Sequence, residues 1–329
     1  MDVAIVGATG LVGQVIFEIL DKSKIKVDNI YAVASERSIG QSIKFKGADI
    51  KIISIESVLQ NKIDVAIFSA GKEVSLKWAP IFVKEGIYVI DNSSAWRMDV
   101  TKKLIVPEIN GHILQKEDKI IPNPNCSTIQ MVMAIHNIHR KYNILRIIVS
   151  TYQSISGTGR KAIAQLDGEE NNTNTEKVYP HQIYKNAIPH CDEFEENGYT
   201  KEEMKLVKET NKILGSNISI TATAVRLPIS GGHSESINIT LEKSFDIDDI
   251  KKIIQNSEGV ILEDKPFENH YPMPLNSQGK DDVYVGRVRR DNSCENSLNM
   301  WVVCDNLRKG AATNTIQIMQ LLTEKGFID

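Results

Sequence analysis

Short apolar segments alternate with amphipathic ones along the first third of the chain. The apolar segments have the length and composition of buried strands and lie at residues 3–6, 30–34, 65–68 and 88–90. Helical periodicity is found at residues 14–20 and 73–84. Strands that alternate with helices predict an α/β fold with a parallel sheet built from βαβ units. In such sheets ligands bind at the carboxyl ends of the strands, which are rich in glycine and serine here.

The pattern changes at about residue 126, where we place a domain boundary. Helices are predicted after this point at about residues 127–141 and at residues 200–214. Strands are predicted at residues 145–152, 218–226 and 236–241, with a polar stretch at residues 168–189. This order predicts a second domain of the α+β type, over residues 126–310, with a mostly antiparallel sheet. Helical periodicity returns at residues 311–324.

Composition and charge exclude several classes of protein. The chain has 39 Lys and Arg against 42 Asp and Glu, a net charge of −3, which argues against a nucleic-acid binder that depends on a large positive field. No apolar run approaches the roughly 18 residues of a membrane-spanning helix, and the N-terminus does not have the features of a signal peptide. The four cysteines form no C-x-x-C pair and match no zinc spacing. We expect a reduced, cytoplasmic protein without a metal site and without a nucleic-acid or membrane partner.

Three glycines occupy the turn between the first predicted strand and the first predicted helix. Gly7, Gly10 and Gly13 have the spacing G-x-x-G-x-x-G. Glycines let the backbone approach a pyrophosphate closely, and the N-terminus of the following helix supplies N–H donors. The spacing differs from G-x-G-x-x-G, so a plain tight turn is the alternative. The strand–turn–helix context favours a dinucleotide site.

The end of the second predicted strand bears on which dinucleotide binds. An acidic residue there would bind the ribose of NAD, whereas this chain continues with Ser35, Glu36, Arg37 and Ser38. Two hydroxyls and a guanidinium suit a 2′-phosphate, because arginine offers several donors in a planar fork. Glu36 is the opposing observation, and an ordinary exposed loop is the alternative. The strand end therefore favours NADP.

One cysteine lies in a setting suited to covalent catalysis. Cys126 lies between Asn125 and Ser127, where a helix is predicted to begin. A helix N-terminus favours the thiolate, which is the reactive form. The Cys126 N–H and the Asn125 side chain could also stabilise an oxyanion on an attacked carbonyl. The alternative is a small buried apolar side chain, which the polar neighbours disfavour.

A nucleophilic thiol needs an acid–base partner, and His233 is the best placed of the seven histidines. It lies in a glycine-flanked loop between two predicted strands, seven residues after Arg226. Histidine suits proton transfer because its ordinary pKa lies near neutrality. The other cysteines have no comparable surroundings, and we interpret Cys191, Cys294 and Cys304 as structural.

Ten segments, in this order along essentially the whole chain, resemble aspartate-semialdehyde dehydrogenases. They are residues 7–13, 35–40, 69–71, 91–97, 123–128, 152–157, 202–205, 226–228, 232–234 and 305–314. The resemblance implies a Rossmann-like NADP-binding domain over residues 1–125 and a catalytic and dimerisation domain over residues 126–310. It also implies a C-terminal helix, over residues 311–329, that returns to the first domain.

The resemblance also implies an activity and a set of small-molecule partners. The reaction would be the NADPH-dependent reductive dephosphorylation of β-aspartyl phosphate to aspartate semialdehyde, with release of phosphate. It would serve the synthesis of lysine, threonine and methionine. Members of the family are dimers or tetramers, and we expect a homodimer. N-acetyl-glutamyl-phosphate reductase and a catalytically inactive NADP-binding regulator are the alternatives.

Roles for individual residues follow from the same resemblance. Cys126 resembles the nucleophile, His233 the acid–base and Gln153 a residue that orients the substrate. The residues that resemble substrate-binding positions are Arg97, Asn125 and Lys205 for phosphate, Arg226 for the α-carboxylate and Glu202 for the α-amino group. The residues that resemble cofactor-binding positions are Gly7, Thr9, Gly10, Leu11, Val12, Gly13, Ser35, Arg37, Ser38, Ser69, Ala70, Gly71, Ser156, Gly157 and Asn314.

The charged residues have structural alternatives. Arg97 and Lys205 could be solvated surface charges, and Arg226 could belong to a structural salt bridge. Glu202 could be only the i,i+3 partner of Lys205 on one face of a helix.

Overall fold

The computed structural model describes residues 1–328, and the chain forms two compact units. The first unit comprises residues 1–125 and the C-terminal segment that begins at Ala311, and the second comprises residues 126–310. Among residues 1–328 no helix is long and apolar enough to cross a lipid bilayer. Each unit is built on its own sheet, which confirms the predicted fold class.

Seven strands form the sheet of the first unit. They are β1 (Asp2–Val6), β2 (Asn29–Val33), β3 (Ser42–Phe45), β4 (Ala48–Ile53), β5 (Val65–Phe68), β6 (Tyr88–Asp91) and β7 (Ile120–Pro122). Their order is β3–β4–β2–β1–β5–β6–β7, and every pair is parallel except the β3–β4 hairpin at one edge. The apolar pattern does not predict this hairpin, because only two of the ten residues in its strands are buried.

Both faces of this sheet are covered by apolar side chains. The helices within residues 1–125 are α1 (Leu11–Lys22), α2 (Ile55–Val58), α3 (Lys72–Lys84) and α4 (Pro107–Asn110). Val3 and Ile5 of β1 belong to one core with Leu20 of α1, whereas Val6 belongs to a second core with Phe82 of α3. A strand buried on both faces is apolar at every position, which is why β1 has a continuous apolar run.

Six strands form the sheet of the second unit. They are β8 (Ile144–Gln153), β9 (Ser219–Arg226), β10 (His233–Leu241), β11 (Val260–Leu262), β12 (Val283–Arg290) and β13 (Ser297–Cys304). Their order is β11–β12–β13–β10–β8–β9. The β12–β13, β13–β10 and β10–β8 pairs are antiparallel, so the sheet is mostly antiparallel as predicted. The pairs at the two edges, β11–β12 and β8–β9, are parallel.

The helices of the second unit are α5 (Cys126–Tyr142), α6 (Arg160–Glu170), α7 (Lys201–Leu214), α8 (Ile247–Gln255) and α9 (Pro274–Ser277). Helix α5 is buried along most of its length and packs against α7, α8 and β10. Helix α7 begins with a capping box, in which the Glu203 N–H donates to the Thr200 hydroxyl and the Thr200 N–H donates to the Glu203 carboxylate. The helix ends before Gly215, which adopts the left-handed conformation. These signals fix α7 close to its predicted limits.

The C-terminal segment belongs to the first unit. A π-helical turn at Arg308–Ala312 precedes α10 (Thr313–Glu324), so the helix begins two residues later than predicted. Met319 and Leu322 of α10 lie in the core that contains Val3 and Ile5 of β1. The amphipathic pattern of this segment is therefore explained by burial against the sheet of the first unit.

Candidate functional site

The glycine turn of the first unit is closely packed and leaves the start of α1 without a capping side chain. Gly7 has φ +96°, and a Cβ there would lie 2.3 Å from the Ser69 carbonyl oxygen. A Cβ at Gly13 would lie 2.3 Å from the Gly7 carbonyl oxygen. Gly10 caps α1 with no side-chain hydrogen bond. Because the first N–H groups of a helix have no partner within it, this cradle fits a pyrophosphate.

The other predicted cofactor residues of the first unit lie at the carboxyl ends of neighbouring strands. The N–H groups of Gly7 and Ala8 donate to the Val33 carbonyl at the end of β2, at 2.9 and 3.0 Å. Beyond that strand end, Ser35 and Arg37 are exposed, and Arg37 has no ion pair within the described chain. The segment Ser69, Ala70 and Gly71 follows β5. The remaining predicted cofactor-binding residues are Thr9 in the glycine turn, Leu11 and Val12 at the start of α1, and Ser38 in the segment after β2.

Three further predicted residues of the first unit are buried polar groups. Arg97 donates from Nη2 to the Asn92 carbonyl at 2.7 Å and is only 7% exposed, so it is not a solvated surface charge. Asn314 donates from Nδ2 to the Ile105 carbonyl at 3.1 Å and to Asn123 Oδ1 at 2.6 Å. Asn125 is also buried. All three belong to a different compact unit from His233.

In the second unit, strand ends bring three predicted residues to one edge of the sheet. Gln153 ends β8 and pairs with Arg226, which ends the parallel strand β9. His233 begins β10, next to β8. His233 was predicted in a loop; this prediction is wrong, because it pairs with Cys304 of β13, a strand that the apolar pattern did not reveal.

Gln153 connects this edge to the start of α5 and to α7. Its Nε2 donates to Ser127 Oγ at 2.9 Å, directly after Cys126, and to Glu202 Oε1 at 3.1 Å. Cys126 is the first residue of α5 and is partly exposed. A Cβ at Gly310 would lie 2.9 Å from Cys126 Cβ, so a glycine is required beside the thiol. The predicted nucleophile therefore lies beside the predicted orienting residue.

Arg226 is a buried cation without a carboxylate partner. Its side chain is 6% exposed and forms no salt bridge with any of residues 1–328. Nη1 donates to the Ser154 carbonyl at 2.7 Å, and Nε is buried without a hydrogen-bond partner. The structural salt bridge considered for Arg226 is absent from the described residues. A buried guanidinium in this state is suited to an anionic ligand.

Glu202 and Lys205 form the i,i+3 pair that was one of the alternatives. Lys205 Nζ lies 3.0 Å from Glu202 Oε2 and 2.7 Å from Asp192 Oδ2. Burial works to lower the pKa of Lys205, but the charges of Glu202 and Asp192 outweigh it and raise this pKa above its ordinary value. Lys205 is therefore held as a cation. Glu202 differs from a simple helix partner because its other oxygen also accepts from Gln153.

The environment of His233 differs from the one expected of a residue that titrates near neutrality. His233 is completely buried. Burial, followed by the positive charge of Arg226, lowers the pKa of His233 to about 3. The expectation of a near-neutral pKa is therefore wrong for the protein alone. The physical reason is desolvation, which a sequence pattern does not report.

The predicted residues Ser156 and Gly157 lie beside His233. A Cβ at Gly157 would lie 3.0 Å from Arg226 Nη1 and 3.2 Å from His233 Nε2. Ser156 Oγ lies 2.9 Å from Ser154 Oγ and accepts from Asn306 Nδ2 at 3.1 Å. The absence of a side chain at Gly157 therefore leaves space for the Arg226 guanidinium and the His233 imidazole, and Ser156 belongs to a network of hydroxyl and amide groups with Ser154 and Asn306.

Sequence reasoning missed three polar residues at this site. Ser154 and Asn306 contact each other at 3.1 Å, and both lie within segments of the family resemblance. Glu235 is fully buried, and burial raises its pKa well above the ordinary value. Its place two residues after His233, on the same face of β10, is the signal that could have identified it.

The remaining cysteines fit a structural interpretation. Burial raises the pKa of Cys191 to about 12 and that of the Cys304 thiol well above its ordinary value, which disfavours their thiolates. Cys294 is exposed. Over residues 1–328, no cluster of three or more His, Cys, Asp or Glu side chains could hold a metal ion.

Comparisons with known proteins agree with the resemblance. The family model described as "Semialdehyde dehydrogenase, NAD binding domain" matches residues 2–117, and "Semialdehyde dehydrogenase, dimerisation domain" matches residues 135–309. The aspartate-semialdehyde dehydrogenase of Aquifex aeolicus (strain VF5) is 48% identical over 99% of each chain. That of Bacillus subtilis (strain 168) is 42% identical over 100% of this chain and 99% of the relative.

A solved structure extends this similarity to three dimensions. The aspartate semialdehyde dehydrogenase II of Vibrio cholerae, complexed with ASA, has a TM-score of 0.94 at 41% identity and covers 98% of each chain. The resemblance inferred from the ten segments is thus confirmed. Two matched domains, relatives above 40% identity and a shared three-dimensional structure establish that the chain belongs to the aspartate-semialdehyde dehydrogenase family.

Proposed function

We propose that this protein reduces β-aspartyl phosphate to aspartate semialdehyde with NADPH and releases phosphate. The observation that carries the proposal is Arg226, a buried guanidinium without a carboxylate partner, at the same sheet edge as Gln153 and His233. A substrate with an α-carboxylate would supply the missing negative charge. In this role the protein serves the synthesis of lysine, threonine and methionine.

Cys126 is the nucleophile in this proposal. Its thiolate attacks the acyl carbon, and the electron pair of the carbonyl bond moves to the oxygen. When that pair returns, the carbon–oxygen bond to phosphate breaks, which leaves a thioester on Sγ. The thiol releases its proton to solvent, and the departing phosphate takes up a proton from solvent. The position of Cys126 at the start of α5 favours the thiolate.

NADPH, when bound, supplies a hydride to the thioester carbon. The carbon–sulfur bond then breaks, so the aldehyde leaves and the thiolate returns. His233 is the acid–base residue in this proposal, and it assists the collapse of the thiohemiacetal by proton transfer through its Nε2, which is buried and has no partner within residues 1–328. Gln153 orients the substrate between the start of α5 and Glu202.

Different residues are proposed to bind the two ends of the substrate. Arg226 binds the α-carboxylate, and Glu202 binds the α-ammonium group. Lys205, Arg97 and Asn125 bind the phosphate. A free ammonium group suits the Glu202 carboxylate, whereas the N-acetyl group of an N-acetyl-glutamyl phosphate does not. This favours the aspartyl substrate over its rival.

The cofactor residues are proposed in two sets. The glycine turn, with Thr9, Leu11, Val12 and Ser69–Gly71, holds the pyrophosphate side of NADP. The hydroxyls of Ser35 and Ser38 and the exposed guanidinium of Arg37 bind the 2′-phosphate. Ser156, Gly157 and Asn314 are proposed on the nicotinamide side. A homodimer, and a cytoplasmic location, complete the proposal; the match to a dimerisation domain supports the dimer.

A direct assay tests this function. Purified protein is mixed with aspartate semialdehyde, phosphate and NADP⁺, and the absorbance of the reduced nicotinamide is followed. We expect reduction that requires all three components. A parallel reaction contains N-acetylglutamate semialdehyde in place of aspartate semialdehyde. Faster reduction with the N-acetyl compound would contradict the proposal.

A further inference from the structure

The polar segment that follows α6, residues 171–192, has no helix or strand, yet two side chains of α6 hold it in place. The side-chain oxygen of the fully buried Gln165 accepts from the backbone N–H groups of residues 178 and 179, at 2.6 and 2.9 Å. Glu169 Oε2 accepts from the N–H groups of residues 183 and 184, both at 2.8 Å. These bonds satisfy backbone donors that an irregular segment would otherwise leave to water. The segment is therefore fixed relative to α6.

This segment contacts two of the residues that are proposed to bind the substrate. The N–H of Ile188 donates to the Arg226 carbonyl at 3.0 Å, and the N–H of Arg226 donates to the Ile188 carbonyl at 2.8 Å. Farther along, Asp192 Oδ2 lies 2.7 Å from Lys205 Nζ. All these residues belong to the second unit. The segment thus borders the substrate site, although the apolar pattern of the sequence indicates only a polar connection.

Tyr179 connects the segment to a third part of the site, the turn at residues 155–159. Its hydroxyl donates to Thr158 Oγ1 at 2.8 Å. The side chain is only 7% exposed and belongs to an apolar cluster with Ile155 of the same turn. Burial raises the pKa of Tyr179 above its ordinary value, although the charge of Arg226 acts in the opposite direction. The phenol therefore keeps its hydrogen at neutral pH and is the donor in this bond.

The turn that Tyr179 contacts forms one wall of the site. A Cβ on Gly157 would lie 3.0 Å from Arg226 Nη1 and 3.2 Å from His233 Nε2, so the backbone of the turn lies directly beside both groups. The turn is a single 3₁₀ element of three residues, Ile155–Gly157. So short an element has few hydrogen bonds of its own, and its position depends on the side chains that support it.

We propose that Tyr179 is a positioning residue that holds Thr158 and thereby fixes the adjacent Gly157. The position of Gly157 sets the space that is left beside Arg226 and His233. The inference rests on the proposed function, which assigns binding of the α-carboxylate to Arg226 and proton transfer to His233. Tyr179 acts through the turn and takes no part in the covalent steps.

Hydrogen exchange of the full chain, followed by mass spectrometry, tests the support of the turn without any turnover. Tyr179→Phe removes one hydroxyl and keeps the ring in its apolar cluster. The N–H groups of residues 157–159 close the turn, and we expect them to exchange at least about threefold faster in this variant, with α6 unchanged. Tyr184→Phe is the matched control, because the Tyr184 hydroxyl has no hydrogen bond with any of residues 1–328. Equal exchange at the turn in Tyr179→Phe and wild type would overturn the proposal.

Steady-state kinetics tests the consequence for the substrate site. We expect Tyr179→Phe and Thr158→Ala each to raise the KM for aspartate semialdehyde by about threefold to tenfold. The KM for phosphate should change by less than about twofold, because other residues are proposed to bind phosphate. Thr158→Ser keeps the accepting oxygen and should restore the wild-type KM, and Tyr184→Phe should leave both constants unchanged. Equal rises in both constants, or a change in the thermal unfolding midpoint alone, would give Tyr179 a purely structural role and overturn the proposal.

The double variant shows whether the two side chains act through one hydrogen bond. If they do, Tyr179→Phe combined with Thr158→Ala should raise the KM for aspartate semialdehyde no more than either substitution alone. A wild type that is inactive with aspartate semialdehyde would contradict the proposed function, and the exchange rates would still decide whether Tyr179 holds the turn. Losses that multiply in the double variant would show that the two residues act separately, which would overturn the proposal.

Discussion

The two units use different parts of the polypeptide to prepare for a ligand. In the first unit the glycine turn presents backbone, with Gly7 and Gly13 packed so tightly that a Cβ would lie 2.3 Å from a carbonyl oxygen. In the second unit the candidate catalytic site is made of side chains from α5, α7 and three strand ends. The glycine turn depends on the absence of a side chain at Gly7 and Gly13, whereas the site of the second unit depends on charged and polar side chains that are buried together.

This difference predicts different consequences of substitution. A change at the backbone cradle alters the fold locally and should affect cofactor binding and stability together. A change at the side-chain site removes one chemical group, and the surrounding sheet should keep its structure. Each of the following substitutions is therefore followed by two measured properties, which separate a local chemical effect from an effect on cofactor binding or stability.

Cys126→Ala should have the largest effect. Loss of the nucleophile should lower kcat by at least about 10⁴-fold, while NADPH binding in the first unit stays as in wild type. Turnover and NADPH fluorescence titration measure the two properties. Cys294→Ala is the control, because this cysteine is exposed and should leave both unchanged. Substantial turnover by Cys126→Ala would remove the cysteine from the mechanism.

Gly157→Ala should come next. The added methyl group would press on Arg226 and His233, and displacement of such groups by about 1 Å can cost about 10²-fold in rate. We expect a lower kcat and a higher KM for aspartate semialdehyde, with the thermal unfolding midpoint nearly unchanged. An effect confined to the NADPH dissociation constant would instead show that Gly157 serves only the cofactor.

Gly7→Ala tests the backbone cradle. It combines a positive φ with a steric clash, so we expect the free energy of unfolding to fall by at least about 2 kcal/mol and NADPH binding to weaken. Gly47→Ala is the matched control, because Gly47 has φ +80° but nothing within 4 Å of an added Cβ. It should cost only about 1 kcal/mol and leave NADPH binding intact. Equal losses in the two variants would show that the close packing at Gly7 is unimportant.

Arg37→Ala should have the smallest effect and should separate two cofactors. Loss of a charge-assisted hydrogen bond costs roughly 1.5–3 kcal/mol, so the KM for NADP should rise about tenfold or more. The KM for NAD, which has no 2′-phosphate, should barely change. The two constants are measured in parallel with saturating aspartate semialdehyde and phosphate. Equal changes for both cofactors would exclude contact between Arg37 and the 2′-phosphate.

The sequence was informative where a signal is local. The glycine spacing, the apolar run of β1 and the helical pattern of α7 each involve neighbouring positions, and the corresponding elements lie close to their predicted limits. The β3–β4 hairpin at one edge of the sheet is different, because only two of the ten residues in its strands are buried and these strands carry little apolar pattern. Local patterns therefore predicted β1, α1 and α7 but missed this hairpin, and they also missed β13, which lies inside the sheet of the second unit.

The candidate catalytic site was less accessible to sequence reasoning. The pKa of His233 and the importance of Ser154 depend on burial and on a contact between residues 79 positions apart. Asn306 is farther still from Ser154, at 152 positions. Residue type and family resemblance indicated the main residues of the site. The protonation state of His233 and the residues that contact it follow from the tertiary structure alone.

The most direct test of the account is the thioester on Cys126. Protein is mixed with aspartate semialdehyde and NADP⁺ in the absence of phosphate, so that a thioester can form but cannot be released to phosphate. We predict a rapid burst of NADPH that approaches one per site, and an acyl adduct that peptide mass analysis locates on Cys126. No burst, or an adduct located on another residue, would contradict the account.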